Sequence, residues 1–366
     1  MSKTKVALVG FHLYGGGGAR MMSTLSNFFY SKGLDVHVIV FNDELGYEYS
    51  GTLFNLGVFK SSRNTIFNKI SRFTTFKRYV KKQNFDYIID IRFRERILQE
   101  YLIAKFIYNK SETIYTIHSS KLEVYLPKSK FWANLIYAKS SKIIALTNRM
   151  TQAVRGRYPK LLNVITIPNA VDLERIQSAS KESINLNFDY IIGSGIYDDN
   201  TKQFDKLIKA YAKSSLKSKK VHLVILGRGK LLENLKGIAE ANDVSDLVHF
   251  LGYTDNPFKF FSKAKYFVLS SLFEGFPMVL LEALASNIPV ISFDCPTGPG
   301  EIINHKENGL LVEDQNMEDL INAMNLFTED QELYNHCKKN TLSSVQKFSV
   351  DAIGQEWLSL MNISKS

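Results

Sequence analysis

The sequence predicts an α/β protein built from two parallel-sheet domains. Three observations carry this. Short β-rich runs alternate with amphipathic segments through the first half, and the same alternation resumes after a polar stretch at Arg175–Asn187. The 366 residues also exceed one ordinary domain of about 100–200 residues.

In the first half the candidate strands are Val6–Gly10, Val36–Phe41, Tyr87–Ile91, Thr113–Ile117 and Lys142–Leu146, and Ala19–Phe29 reads as a helix. Ile165–Asp172, ITIPNAVD, closes this half. The second half continues with strands at Tyr190–Ile192, Val221–Leu226, Leu247–Phe250, Tyr266–Leu269 and Pro289–Phe293. Helical patterns at Gln203–Lys213, Lys230–Asn242 and Pro257–Ser262 separate them. Asn316–Phe327, Gln331–Phe348 and Asp351–Met361 read as further helices, the last burying Trp357. The expected division is a domain at 1–172, a linker at 173–187, a second domain at 188–348 and a closing helix at 349–366.

With 45% hydrophobic and 22% charged residues the chain has a globular composition, and it holds no apolar run long enough to span a membrane. The start lacks the apolar core of a signal peptide, and Cys295 and Cys337 form neither a disulfide framework nor a metal-ligand spacing. A cytoplasmic protein is the expectation. The net charge of +10 is unevenly spread, because residues 1–170 carry +16 and the remainder −6. A surface that basic selects acidic partners. Between Glu48 and Asp86 there is no acid, whereas Lys60, Arg63, Lys69, Arg72, Lys77, Arg78, Lys81 and Lys82 all fall there. Ile66, Ile70, Phe73 and Tyr79 or Val80 recur among them at helical spacing. The stretch reads either as a basic amphipathic helix for anionic lipid headgroups or as a helix packed on its own domain with a solvated basic face. No nucleic-acid motif accompanies the charge.

Ligands of parallel sheets gather beyond the carboxyl ends of the strands. In the first half those positions are Gly15–Gly18, Arg92, His118 and Asn148. The glycines, Gly16 and Gly17 among them, permit close backbone approach to a ligand, without the spacing of a dinucleotide fingerprint. His118 fits a contact to a bound sugar, a proton relay or a structural role. Arg92, Arg94 and Arg96, with Glu95 among them, fit an acidic acceptor or a solvated loop.

The densest stretch is Ser270–Pro289, SSLFEGFPMVLLEALASNIP. Pro277 suits a helix start, Glu274 precedes that start and Glu282 lies on the helix. Unpaired N–H groups there make an anion site, so the stretch is either a phosphate-binding turn or a surface turn with two solvated acids. Three loops of this half, Gly193–Lys202, Gly227–Lys230 and the Glu274 turn, should meet at one sheet edge and offer a cation, a glycine turn and carboxylates.

FEGFPMVLLEALASNIPVI with its Glu-x7-Glu spacing, TKQFDKLIKAY, VILGRGKL, HFLGY and IPNAVD together resemble the retaining glycosyltransferases of family 4. The resemblance implies a GT-B fold, with two Rossmann-like domains facing a deep cleft and a C-terminal helix returning to the first domain. It implies a nucleotide-sugar donor, UDP first, held by the second domain, and a glycan or lipid-linked acceptor held by the first. By the family pattern Glu274 contacts the donor sugar, Glu282 the ribose and Lys202 the diphosphate. Gly275 and the N–H groups of Phe276, Met278 and Val279 would lie near sugar and phosphates, and Gly227, Arg228, Gly229 and Tyr253 near the base. His118 falls where the family often has a histidine near the reacting sugar. Arg92, Arg94, Lys77, Arg78 and Lys81 are the candidates for acceptor or membrane contact, and no cofactor or metal is expected. The pattern departs at one place: the usual Gly-Arg before the lysine is Gly195-Ile196 here, so half of the cationic clamp is missing.

Overall fold

In the computed structural model, which describes residues 3–60 and 65–363, the alternation resolves into two parallel sheets, one in each of two units. The first unit comprises residues up to Ala170 together with the segment from Val350, and the second runs from Val171 to Ser349.

The first unit orders its elements as β1 (Lys5–Gly10), α1 (Gly16–Ser31), β2 (Asp35–Val40), β3 (Thr52–Asn55), α2 (Ile66–Gln83), β4 (Tyr87–Asp90) and α3 (Ile97–Phe106). It continues with β5 (Glu112–Ile117), α4 (Lys130–Tyr137), β6 (Lys142–Ala145), α5 (Asn148–Arg157) and β7 (Val164–Thr166). The sheet order is β3-β2-β1-β4-β5-β6-β7, all parallel. Side chains alternate across it, as the strand repeat of two demands. Ala7 and Val9 enter a core under α2 to α5, while Val6 and Leu8 enter a second core under α1.

The second unit runs α6 (Leu173–Ala179), β8 (Tyr190–Ser194), α7 (Phe204–Lys213), β9 (His222–Leu226), α8 (Leu232–Ala241), β10 (Val248–Gly252), α9 (Phe258–Phe261) and β11 (Phe267–Leu269). It ends with α10 (Met278–Ala285), β12 (Val290–Phe293), α11 (Pro299–Ile302), β13 (Gly309–Val312), α12 (Met317–Glu329) and α13 (Gln331–Val345). Its sheet order is β10-β9-β8-β11-β12-β13, again parallel. The stretch expected as a linker opens instead with a helix. Asp172 caps α6 through the Arg175 N–H at 3.0 Å, and Ile176 is buried.

The closing helix α14 (Val350–Leu360) packs on the first unit. Trp357 joins the core under α1, and the Tyr87 hydroxyl donates to the Met361 carbonyl. Gly354 lets α14 approach α1, since a Cβ there would lie 2.3 Å from Phe28 Cζ.

The apolar residues expected on α2 divide between core and solvent, with Phe73 and Tyr79 packed against the core. Phe76 and Val80 are buried, but Ile66, Phe67 and Ile70 are exposed, on the same side of the helix as Lys77 and Lys81. The deeper residues lie in the C-terminal turns, where the helix meets the sheet. Arg63 lies outside the described residues.

Candidate functional site

In the second unit, β8 and β11 sit side by side where strand order reverses, which opens a crevice at their carboxyl ends. The loops that leave β8 and β9 there are stitched together by backbone bonds. Gly195 N donates to Leu226 O at 3.0 Å, Tyr197 N to Arg228 O at 3.1 Å and Leu231 N to Tyr197 O at 3.1 Å. Gly227 N reaches Gly252 O at 2.8 Å, which joins the β10 loop to the set. Such contact requires glycine at residue 227, where φ is +141° and a Cβ would fall 1.9 Å from Gly195 O.

Lys202 ends a short 3₁₀ turn, Asn200–Lys202, and Gln203, with φ +47°, starts α7 behind it. Its backbone is fixed by Ser270, whose hydroxyl donates to the Lys202 carbonyl at 2.8 Å. The side chain crosses Gly195 and puts Nζ 2.6 Å from Glu274 Oε1. Ser271 Oγ donates to the same carboxylate oxygen at 2.7 Å, and Thr297 Oγ1 donates to the Glu274 carbonyl at 2.5 Å. Gly298, at φ +99°, packs on Pro277 and the Gly275 carbonyl, bracing the turn into α10. Ser270, Ser271, Thr297 and Gly298 were not singled out from sequence; they act on the backbone and carboxylate of other residues, and only three-dimensional proximity reveals that.

Around this pair, Phe276 is buried against Phe348 with ring centroids 5.5 Å apart, so only its backbone is available to a ligand. Met278 and Val279 are half-buried in the first turn of α10, and Glu282 is buried one turn further on. Arg228 is exposed, and its guanidinium lies 4.9 Å from the Tyr253 ring on the loop after β10. Ile196, where a second cation was expected, is 57% exposed. The edge thus offers Lys202, two helix starts and the Glu274 carboxylate, a set suited to a phosphate-bearing ligand with hydroxyls nearby.

In the first unit, α1 begins at Gly16, with Gly15 and Gly16 at φ +61° and +69°. A Cβ on Gly17 would lie 3.7 Å from Asn169 Nδ2, and one on Gly18 would lie 3.8 Å from His118 Cγ. His118 bonds through Nε2 to Thr116 Oγ1 at 2.8 Å. Burial, reinforced by the Arg94 charge, pushes its pKa down to about 3, so the imidazole is neutral and unsuited to relay protons as a cation.

Arg92 and Arg94 are corrected. Each is only 1% exposed. Arg92 bonds Asp90 at 2.6 Å and Glu100 at 2.8 Å, and the two carboxylates hold its guanidinium charged despite burial. Arg94 donates to the carbonyls of Asp90, Arg92, Thr116 and Tyr125 and lies over the Tyr115 and Tyr125 rings at 5.1 and 5.4 Å. Neither can reach an acceptor. Lys77, Arg78 and Lys81 are exposed on α2.

Comparison with known proteins agrees with this architecture. The family model described as Glycosyltransferase Family 4 matches residues 15–175, and that described as Glycosyl transferases group 1 matches residues 176–343. A Campylobacter jejuni protein named N-acetylgalactosamine-N,N'-diacetylbacillosaminyl-diphospho-undecaprenol 4-alpha-N-acetylgalactosaminyltransferase is 28% identical over 97% of this chain and 98% of its own length. A second relative from that organism, named as an alpha-1,4-N-acetyl-D-galactosaminyltransferase, is 26% identical over 98% of both chains. Among solved structures, a glycosyltransferase from Rickettsia africae superposes with TM-score 0.79 at 17% identity, covering 99% of this chain and 98% of that one. HepE from Anabaena in complex with UDP gives TM-score 0.78 at 17% identity, over 98% of this chain and all of that one. With both halves matched in order and the two parallel sheets in place, the chain belongs to the family 4, group 1 glycosyltransferases of the GT-B fold.

Proposed function

We propose that this glycosyltransferase moves a hexose from a UDP-sugar to a lipid-linked or surface-glycan acceptor, with retention of configuration and without a metal. Galactose or N-acetylgalactosamine leads as the sugar, ahead of glucose or N-acetylglucosamine. The observation that carries the reading is the Lys202–Glu274 pair at the strand reversal of the second sheet. Leaving-group departure creates an oxocarbenium-like sugar and a dianionic diphosphate, and a lysine with two helix starts answers that charge where it forms. In this reading Lys202 holds the diphosphate, Glu274 the sugar hydroxyls and Glu282 the ribose. The backbone from Gly275 to Val279 borders the sugar and phosphates, and Gly227, Arg228, Gly229 and Tyr253 border the base. The names of two relatives, both N-acetylgalactosaminyltransferases acting on diphospho-undecaprenol-linked sugars, support the donor and acceptor classes.

Purified protein is to be offered UDP- and GDP-sugars with an undecaprenyl-diphosphate-linked N-acetylgalactosamine acceptor. The expected product carries the donor's anomeric configuration by NMR, and a chelator leaves the rate unchanged. No nucleotide release above a Lys202→Ala, Glu274→Ala double variant would overturn the enzyme reading. It would favour a catalytically silent partner subunit, a reading motivated by the exposed Ile196 in place of a cation.

The enzyme would work at the cytoplasmic face of a membrane, held peripherally by its basic unit. No described helix is long and apolar enough to cross one. Exposed Phe67 and Ile70 on α2, Leu98, Leu102 and Phe106 on α3, and Lys77 over the Phe106 ring at 5.7 Å form an apolar surface edged by cations, which supports contact with anionic lipid. Sedimentation with phosphatidylglycerol vesicles should be salt-sensitive and lost in Lys77→Glu/Lys81→Glu; indifference to the anionic lipid would exclude it.

A further inference from the structure

Two glutamines of the second unit hold a backbone conformation that favours glycine. Gln203, between the 3₁₀ turn of Lys202 and α7, has φ +47°, and Gln315, between β13 and α12, has φ +61°. A left-handed backbone is unfavourable for a long side chain and persists where the surroundings fix it. Glycine would adopt both angles at less cost, so the backbone alone does not account for glutamine at either position. Their side chains meet.

Gln203 is 5% exposed, so its amide has to be satisfied within the protein. Oriented to match its neighbours, the amide nitrogen donates to Gln315 Oε1 at 2.8 Å and to the Ser270 carbonyl at 2.9 Å, and the oxygen accepts from Lys206 Nζ at 3.2 Å. Lys206 Nζ also donates to Gln315 Oε1 at 2.6 Å. Gln315 in turn donates through Nε2 to Asp314 Oδ1 at 3.0 Å. One ammonium thus bridges two amide oxygens, and the three side chains tie the start of α7 to the loops that follow β11 and β13. The tie ends on Lys202. Ser270, whose carbonyl receives the Gln203 amide, places its own hydroxyl on the Lys202 carbonyl at 2.8 Å and the Gln203 carbonyl at 3.2 Å. Leu272 N donates to Thr201 O at 2.8 Å, so the turn is held to the loop after β11 on both sides of the lysine.

We propose that Gln203, Gln315 and Lys206 are positioning residues for Lys202, forming a clasp that fixes the backbone from which its ammonium leaves Glu274 and takes a diphosphate. A charge helps a departing group only when it is in place before that group's charge develops, and a long side chain is placed by its anchor. The diphosphate role of Lys202 rests on the glycosyltransferase reading. The clasp itself does not.

The test compares the full chain with Gln203→Gly and Gln315→Gly, each of which relieves a left-handed backbone while removing an amide. Hydrogen exchange without ligand reads the clasp: in Gln315→Gly the backbone amides of residues 200–207, remote in sequence, should exchange roughly three- to tenfold faster. Titration with UDP reads the consequence. Each variant should bind UDP roughly three- to tenfold more weakly, and in a Lys202→Met background neither substitution should weaken it further. With a UDP-sugar, turnover should fall roughly ten- to hundredfold. Glutamines that only fill space give the opposite result, with exchange and affinity unchanged and a melting temperature that holds or rises as strain is relieved. Unchanged exchange at residues 200–207 would overturn the clasp. A loss of UDP affinity that persists in Lys202→Met, or an affinity unmoved by both substitutions, would overturn its action through Lys202. Wild-type protein that neither binds UDP nor releases nucleotide, with the exchange effect intact, would overturn the enzyme reading and leave the clasp standing.

Discussion

Glu274→Gln should tighten UDP binding while it slows turnover. Lys202 Nζ and Glu274 Oε1 are 2.6 Å apart, with side chains 23% and 12% exposed. A charge-assisted hydrogen bond partly out of water contributes about 1–2 kcal/mol net. A diphosphate that takes Lys202 must draw it from Glu274, so this contribution opposes binding, and removing the carboxylate charge also removes its repulsion of the phosphates. The glutamine variant should therefore bind UDP about 5–30-fold tighter. Because UDP lacks the sugar that Glu274 is assigned to hold, nothing is lost on the other side. With a UDP-sugar, turnover should fall about a hundredfold or more. Isothermal titration at fixed ionic strength reads the affinity, and Lys202→Met with the double variant completes a cycle in which the gain from Glu274→Gln vanishes without the lysine. Unchanged or weaker UDP binding in Glu274→Gln would refute the reasoning, since Glu274 would then not compete for the cation.

Arg92→Met should cost about 3–5 kcal/mol in urea unfolding, because it strands the buried Asp90 and Glu100 carboxylates, and Arg92→Met/Glu100→Gln should recover part of it. Gly227→Ala should lose about 3 kcal/mol or more in the same assay, since it combines a φ of +141° with a Cβ 1.9 Å from Gly195 O. Ile196→Arg, at an exposed position, should leave the melting temperature nearly unchanged and raise UDP affinity roughly fivefold or more by restoring a cation near the diphosphate. Burial lowers the pKa values of His37, His118, His222 and His249, so below about pH 6.5 the unfolded chain binds more protons than the folded one. Their stabilising contribution is complete above that pH and is lost as pH falls toward the folded values, about 3 for His118. The slope is at most about 1.4 kcal/mol per pH unit per histidine, and His118→Asn should flatten it in acid denaturation.

The parts of the fold that sequence exposes are those with a strong two-sided or one-sided pattern. Runs such as Val6–Gly10 are apolar on both faces because both faces of a parallel sheet are covered. β3 escaped because Thr52–Asn55 is an edge strand with a half-exposed, mixed composition. β13 escaped because four residues, GLLV, do not distinguish strand from helix. α3 is apolar nearly all round, with Leu98, Leu102 and Phe106 exposed and Ile103 buried, so its periodicity names no inner face. The helix α6 was read as a linker because its polar letters outweigh the single buried Ile176.

The charges follow a different logic, because a formal charge in a sequence carries no sign of its partner. Arg92 and Arg94 read as surface cations from the local run IRFRER, yet the carboxylates that admit them to the core are Asp90, on the preceding strand end, and Glu100, on α3. Burying such a pair is costly without full hydrogen bonding, and here four backbone carbonyls complete Arg94. These arginines contribute to the composition of the basic half but not to its outer field, since their charge is met inside. The field that a partner would feel comes from exposed lysines and arginines such as Lys77, Arg78 and Lys81. The same blindness applies to Lys202 and Glu274, which are 72 residues apart and were assigned to a ligand, not to each other. Their contact matches the Lys202 charge with a carboxylate, so a diphosphate that takes Lys202 meets an exchange of partners and not a bare cation. With Ile196 in place of a second cation on the Lys202 loop, the hydroxyl of Ser270 on the Lys202 backbone and that of Ser271 on Glu274 hold the two partners of that exchange in place.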